Sequence, residues 1–218
     1  MPYNYTQIFD RTPKVSKSAL AVSHYGVNDL LATQIQRQLE ELAYDVEKTI
    51  INGLISGPGS SGTPRSMGGI MQYMQLAGSG VLTAGAAVPL TEGIMNDAYE
   101  LGLGNGANNM AVIVCHPNKH RTISTFINNY RRTNVGQSTN GNVAGSFVDQ
   151  FLSDQGVASN IITSRHMDKD KVLILDPSKI SWVPLNGRTF TQEPAQGNGD
   201  DAAAVRILGE YTLQFMNA

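Results

Sequence analysis

Val27, Leu31, Ile35, Leu39, Leu42, Val46, Ile50 and Leu54 recur every three or four residues, the spacing that gathers side chains along one stripe of an α-helix. The spacing predicts a helix from Asn28 to about Asn52. Asn28 is a candidate N-cap, Asp29 suits the positive end of the helix dipole, and Gly53 supplies a stop. At 1.5 Å per residue such a helix would run about 37 Å, roughly twice the usual length, and would act as a structural spine. Periodicity alone favours a core helix of a bundle; the lack of a second helix of comparable length weighs against one. Leu39 stands in the middle of the stripe, so Leu39→Asp is expected to unfold the domain by burying an unpaired charge.

The rest of the pattern is shorter-ranged. Residues 1 to 22 read as extended, with Tyr3, Tyr5, Ile8 and Phe9 before the breaker Pro13 and Val15, Leu20 and Val22 after it. Loops are expected at 56 to 68 and 78 to 85, around the short apolar run Ile70 to Leu76. Thr91 reads as the N-cap of a helix that buries Ile94, Ala98 and Leu101 and is closed by Gly102 and Gly104. Met110 to Cys115 is a continuous apolar run of strand length, expected to be covered on both faces and ended by Pro117. Helical spacing returns from Lys119 to Ile127. The stretch from Asn128 to Gly145 is rich in Asn, Gly, Ser and Thr, carries Arg131 and Arg132, and reads as a long mobile loop of a kind that usually either functions or stays disordered until docked. Strands are expected at Phe147 to Leu152, Asn160 to Ser164, Val172 to Leu175, Ile180 to Val183 and Arg206 to Phe215. Asp176-Pro177 and Asn186-Gly187 are turn signals, and Gln192 to Ala204 reads as a polar loop. The order of elements is α+β and not a regular βαβ array.

Composition narrows the function. A chain of 218 residues makes one large domain or two small ones and buries roughly 70% of the surface its unfolded form exposes. Sixteen Lys and Arg against eighteen Asp and Glu give a net charge of −2, far from the basic balance of a dedicated nucleic-acid binder. Charged residues make up only 16%, and weakly charged surfaces resist association less, which points to assembly. The single cysteine, Cys115, cannot form an intramolecular disulfide, so a reducing compartment is expected. No run approaches the roughly 20 apolar residues of a membrane span, and residues 1 to 10 lack the basic and apolar segments of a signal peptide, so a soluble, unprocessed chain is expected.

Candidate chemistry is sparse. Gly57 to Gly62 satisfies the string G-x-G-x-x-G, yet it follows a helix where a dinucleotide site needs a strand before it and a helix after it. His116 and His120 are four apart, a metal-ligand spacing, but Pro117 biases residue 116 towards extended geometry and leaves only His120 inside a helix. Cys115 beside His116 suggests a thiolate pair, although neighbours on a strand point to opposite faces, and a buried free thiol is the simpler reading. Asp168, Asp170, Asp200 and Asp201 lack a cation-loop spacing and fit solvated turns better. Arg131 and Arg132, beside Tyr130, suit a phosphate or a neighbouring carboxylate, and without a wider basic stripe a subunit contact is favoured over nucleic acid. The sequence thus offers no catalytic, cofactor-binding or metal residues, and an enzyme is not expected.

The runs Asn4-Tyr5-Thr6-Gln7-Ile8-Phe9, His24-Tyr25-Gly26-Val27-Asn28-Asp29, Asp45-Val46-Glu47 and Asn52-Gly53 are the first of an ordered set. Met67-Gly68-Gly69-Ile70, Leu90-Thr91-Glu92, Asn96-Asp97, Pro117-Asn118-Lys119-His120-Arg121, Ile123-Ser124, Leu175-Asp176-Pro177 and Gly209-Glu210-Tyr211-Thr212-Leu213 complete it. In this order, over almost the whole chain, the set resembles tailed-phage major capsid proteins of the SU-ten-like family.

The resemblance implies the Hong Kong 97-like capsid fold and a non-enzymatic shell subunit of a phage or prophage, made in the host cytoplasm, that self-assembles into an icosahedral shell around double-stranded DNA. It implies an extended arm or E-loop remnant at 1–22, a peripheral domain of 23–88 and 192–218 with its spine helix at 28–52, and an axial domain of 89–191. Arg131 and Arg132 would then be an assembly contact in the axial domain. The expected partners are other copies in capsomers, scaffold, portal or decoration proteins, and non-specifically packaged DNA, with no cofactor and no membrane. Family members carry an N-terminal arm and an outgoing E-loop strand ahead of the equivalent of Tyr5, and further sequence after that of Asn217, so a chain trimmed at both ends is expected. The alternatives are an encapsulin-like compartment and a small metal-dependent enzyme using His116, His120 and nearby aspartates.

Overall fold

A computed structural model of the chain describes residues 3–22, 26, 29–57, 64–78, 80–83, 85, 88–126, 148–195 and 200–216. The chain divides into two compact units, one of Met1–Tyr73 with Ser181–Ala218 and one of Met74–Ile180.

The first unit is organised on one long strand. β1 (Gln7–Arg11) and β2 (Lys14–Ser16) run antiparallel to β9 (Ala202–Phe215) along one edge, in a single register from Gln7 opposite Tyr211 to Ser16 opposite Ala202. Pro13, which has no N–H to give, sits at the interruption, and its carbonyl still accepts from Val205 N–H at 3.2 Å. Leu208 faces Asp10 on one side and Thr191 on the other, so β8 (Thr191–Pro194) lines the opposite edge of β9, and β7 (Ile180–Pro184) pairs with β9 as well. The polar loop expected from Gln192 to Ala204 is therefore part strand: β8 runs to Pro194 and β9 begins at Ala202. Side chains on β8 are all exposed, so no apolar alternation marks it, and backbone pairing alone makes it a strand.

A short helix, a long one and the first turn of a third, as far as Tyr73, complete this unit. α1 (Lys17–Ala21) interrupts the stretch that reads as extended, started by Ser16, whose hydroxyl accepts from Ala19 N–H at 3.2 Å. α2 (Leu30–Asn52) is the long helix, 23 residues or about 35 Å. Its N-cap is Asp29 and not Asn28, because the Asp29 carboxylate reaches Ala32 N–H at 3.0 Å. α2 packs on β1, β2 and β9 and buries Leu42 and Ile51, while Leu39 is 41% exposed. A charge at Leu39 would meet water, so Leu39→Asp is now expected to leave the single chain folded. Arg11 of β1 reaches across to Asp45 and, at 3.9 Å, to Glu41 on α2. After α2 the backbone of 67–69 crosses the helix end, and the apolar run that follows forms α3 (Ile70–Ala77).

The second unit is a four-stranded sheet with helices. The sheet order is β4 (Gln150–Leu152), β5 (Ala158–Thr163), β3 (Val112–Cys115), β6 (Val172–Leu175), with β3 parallel to β5 and the other pairs antiparallel. α4 (Glu92–Gly104) starts at Thr91, whose hydroxyl accepts from Ile94 N–H, and α5 spans Pro117–Phe126. Met95 and Tyr99 of α4, Ile123 of α5, and Met110, Ile113, Cys115 and Phe151 form the core. The inward line of α4 is thus centred on Met95 and Tyr99, one residue beyond the expected Ile94 and Ala98. Gly102 lies inside the helix, which is capped by Asn105; a Cβ there would stand 2.5 Å from Met110 Sδ, so close packing and not helix termination explains that glycine. β3 is central as its apolar run requires, but it is fully covered on one face only. Ile113 and Cys115 are buried, Val112 and Val114 are half-buried, and Ile162 beside Val114 is exposed.

Candidate functional site

Glu210 is a charged residue in the middle of the apolar run Ile207-Leu208-Gly209-Glu210-Tyr211, and the register seats it opposite Ile8 with its side chain only 2% exposed. A carboxylate so deprived of water has to be paired. Arg188 Nε stands 2.9 Å from Oε2, the Arg65 guanidinium engages Oε1, and the Thr6 hydroxyl donates to Oε1 at 2.5 Å. The backbone joins in: Glu210 N–H donates to the Arg188 carbonyl, and Leu185 N–H donates to the Glu210 carbonyl, both at 2.9 Å. Both arginines are partly wet, at 41% and 44% exposure, which lowers the desolvation cost of the cluster. Three distant pieces of chain thereby meet at one carboxylate: the start of the chain, the segment ahead of α3, and the β7–β8 turn.

The same pieces are stitched by neutral hydrogen bonds. The Asn4 amide donates to the carbonyls of Gly68 and Leu213, and its oxygen accepts from Gly68 N–H at 2.8 Å. Tyr73 donates its hydroxyl to the Tyr3 carbonyl at 2.7 Å, and Met67 N–H donates to the Gln7 side chain. Trp182 stacks on Tyr211 at 4.7 Å and 9°, and Phe190 lies 4.8 Å from Tyr211 with its ring tilted by 34°. Gly209 makes room for that ring, since a Cβ there would come within 2.5 Å of Phe190 Cδ1. The arrangement is a clamp that fixes the chain start and two connecting segments to β9.

The residues singled out by sequence have other fates. Arg131 and Arg132 lie outside the described residues, as do Pro58 to Gly62 of the glycine-rich string. His116 precedes α5 and its Nδ1 accepts from Asn118 N–H at 3.2 Å, whereas His120 Nε2 lies 3.0 Å from the Val148 carbonyl, so the two rings serve separate contacts. Cys115 is buried, and burial pushes its thiol up to about 11, which keeps it protonated and unreactive at neutral pH. Asp170 and Asp201 pair with Lys119 and Lys17 at 3.8 and 3.5 Å, Asp200 pairs with Lys14, and Asp168 lies 3.5 Å from Lys171. The Asp168 carboxyl is held below its ordinary range first by the Asp170 N–H and then, against some desolvation, by Lys171. Among the described residues no three His, Cys, Asp or Glu side chains are grouped to hold a metal, and no helix is long and apolar enough to cross a membrane. The Glu210 cluster had one legible signal, a carboxylate set in an apolar strand, and its partners had none. Large apolar side chains left in solvent include Tyr3, Leu54 and Met216 in the first unit and Leu76, Leu152 and Ile162 in the second.

No curated protein matches the chain. Among solved structures, a chain of Microbacterium phage Oxtober96 is similar with a TM-score of 0.62 and 14% identity, covering 97% of this chain and 67% of that one. The holo-SrpI encapsulin complex of Synechococcus elongatus PCC 7942 is similar at 0.61 and 15%, covering 97% and 70%, and the satellite phage P4 procapsid including size determination protein at 0.54 and 10%, covering 97% and 72%. At these identities the likeness is one of fold, that of Hong Kong 97-like capsid proteins and encapsulins. A family model described as SU10 major capsid protein matches residues 1–218.

Proposed function

We propose a function that starts from family membership: this chain belongs to the SU10 major capsid protein family, and it is a structural protein of a phage head that forms the virion shell with copies of itself. The whole-length family match carries this reading. Beyond it, the shell is icosahedral and encloses double-stranded DNA, and the chain, made in the host cytoplasm, has no catalytic task. We assign the peripheral role to 23–88 and 192–218, with α2 as its spine, and the axial role to 89–191, with Arg131 and Arg132 as a contact to a neighbouring copy. Scaffold, portal and decoration proteins are further partners of the same shell.

Several features support assembly. A net charge of −2 lets many copies lie side by side with little repulsion. Exposed Leu54, Leu76 and Leu152 are apolar surface that a second copy would cover. Contacts weak one by one suffice when each subunit makes several.

The test is the mass of the purified chain by light scattering at low and high salt, with negative-stain imaging of large species. Rings or shells are expected, and Arg131→Ala with Arg132→Ala is expected to leave folding intact and impair capsomer formation. Assembly of that double variant with unchanged salt tolerance would overturn the axial contact. Shells that hold a protein cargo and no DNA would favour a compartment over a head.

A further inference from the structure

The sequence holds five Asn–Gly pairs, and three of them, at Asn52, Asn105 and Asn186, lie among the described residues. These pairs share one intrinsic chemistry, since glycine leaves its own backbone nitrogen open to approach the preceding side chain. The fold treats them differently. Gly53 N–H is held by the Thr49 carbonyl at 2.8 Å at the end of α2, and Gly106 N–H by the Leu103 carbonyl at 3.0 Å after α4. Asn186 and Gly187 are the two central residues of an exposed turn, with Gly187 at φ +76°. That turn is closed by Arg188 N–H on the Leu185 carbonyl at 2.9 Å, so the closing bond uses the residue after the glycine and not the glycine itself.

We propose that Asn186 is a site of spontaneous covalent modification, at which the Gly187 nitrogen attacks the side-chain amide and the residue ends as aspartate or isoaspartate. The nitrogen gives up its proton to solvent and bonds to Cγ of Asn186, ammonia leaves, and a five-membered imide remains. Water then opens the imide at either carbonyl, supplying the new carboxylate oxygen. Opening at one carbonyl routes the main chain through the side-chain carbon and lengthens the turn by one backbone atom.

The position gives the change a structural target. Leu185 and Arg188, on either side of the pair, are the residues that hold the Glu210 backbone, and Arg188 also pairs with the Glu210 carboxylate. A new carboxylate two residues from Arg188 competes for that guanidinium, and the isoaspartate form shifts Leu185 against Arg188. Modification at Asn186 therefore loosens the clamp on β9, whereas the bonds at Gly53 and Gly106 withhold the same chemistry from Asn52 and Asn105.

The full chain, incubated natively in mildly alkaline buffer made with oxygen-labelled water, is digested and the three Asn–Gly peptides are followed by mass spectrometry. The Asn186 peptide is expected to exchange amide for carboxylate, with label, about tenfold faster than the Asn52 and Asn105 peptides, a factor that corresponds to roughly 1.4 kcal/mol of local opening. In denaturant the three rates are expected to converge. Asn186→Gln is expected to abolish the change at its own peptide and leave the other two unaltered. Native rates that are equal, or a difference that persists in denaturant, would overturn the proposal.

Discussion

Gly69 donates its N–H to the carbonyl of Gly53 at 2.8 Å, so the segment ahead of α3 lies backbone to backbone on the end of α2. A Cβ at Gly69 would stand 2.6 Å from the Gly53 nitrogen, 2.8 Å from the Thr49 carbonyl and 2.9 Å from the Ile50 carbonyl, all backbone atoms that cannot swing away. Gly69→Ala is therefore expected to destabilise the chain by about 1–3 kcal/mol, the usual cost of overpacking. Chemical denaturation checks this, and an unchanged midpoint would show that the crossing is looser than the distances say.

The clamp at Glu210 makes a prediction about non-additivity. Arg65→Ala or Arg188→Ala alone leaves the carboxylate one arginine and Thr6, and each is expected to cost about 1 kcal/mol because both guanidinium groups are partly solvated. The double variant leaves a nearly sealed charge with only a hydroxyl, and is expected to lose more than the two single losses together. Strict additivity in a double-mutant cycle would mean that the two arginines do not share Glu210 as one cluster.

Along α2, Leu42 and Leu39 separate burial from periodicity. Leu42, 4% exposed, is expected to lose the folded state as Leu42→Asp, whereas Leu39→Asp is expected to stay folded with a melting temperature near the parent's. Circular dichroism melts decide between them. Unfolding of both would place Leu39 in the core after all.

Asp176 carries an acid limb of stability. Its carboxylate accepts from the Ser178 hydroxyl at 2.6 Å, from Ser178 N–H at 2.9 Å and from Asn109 N–H at 3.2 Å. The Ser178 hydroxyl bond is the largest cause holding its carboxyl below the ordinary value, with the backbone bonds assisting against desolvation. A depressed carboxyl favours the charged form in the fold, so the stabilisation is full above the ordinary carboxyl range, roughly pH 4. It is lost as pH falls below that range, through the depressed folded value. Asp176→Asn is expected to lower stability at neutral pH and to flatten its fall in acid; an acid limb as steep as the parent's would assign that limb to other carboxylates.

How much of this was legible varies with the physics. The stripe of α2 was plain because 3.6-residue periodicity over 23 positions is hard to produce otherwise, yet its cap slipped from Asn28 to Asp29, since both residues cap well and only geometry chooses. β3, β6 and β7 were found by their apolar runs. β8 was missed because an edge strand paired only through its backbone needs no apolar side chains, and α1 because five residues carry too little period to read. The ordered motifs carried the family, and the family carries the function.

By itself, the sequence determined the α+β class, the long helix, the shell-protein family and the absence of a recognisable catalytic motif, all of which rest on local spacing or on motif order along the chain. Only the tertiary structure decided that Glu210 is a buried hub for Arg65, Arg188 and Thr6, that Gly53 and Gly69 exist for each other, and which Asn–Gly pairs are shielded. The physical reason is range. Periodicity and capping act within a few residues, whereas desolvating a carboxylate or bringing two backbones into contact depends on residues up to 204 positions apart in one case and sixteen in the other, whose proximity the folded chain alone creates.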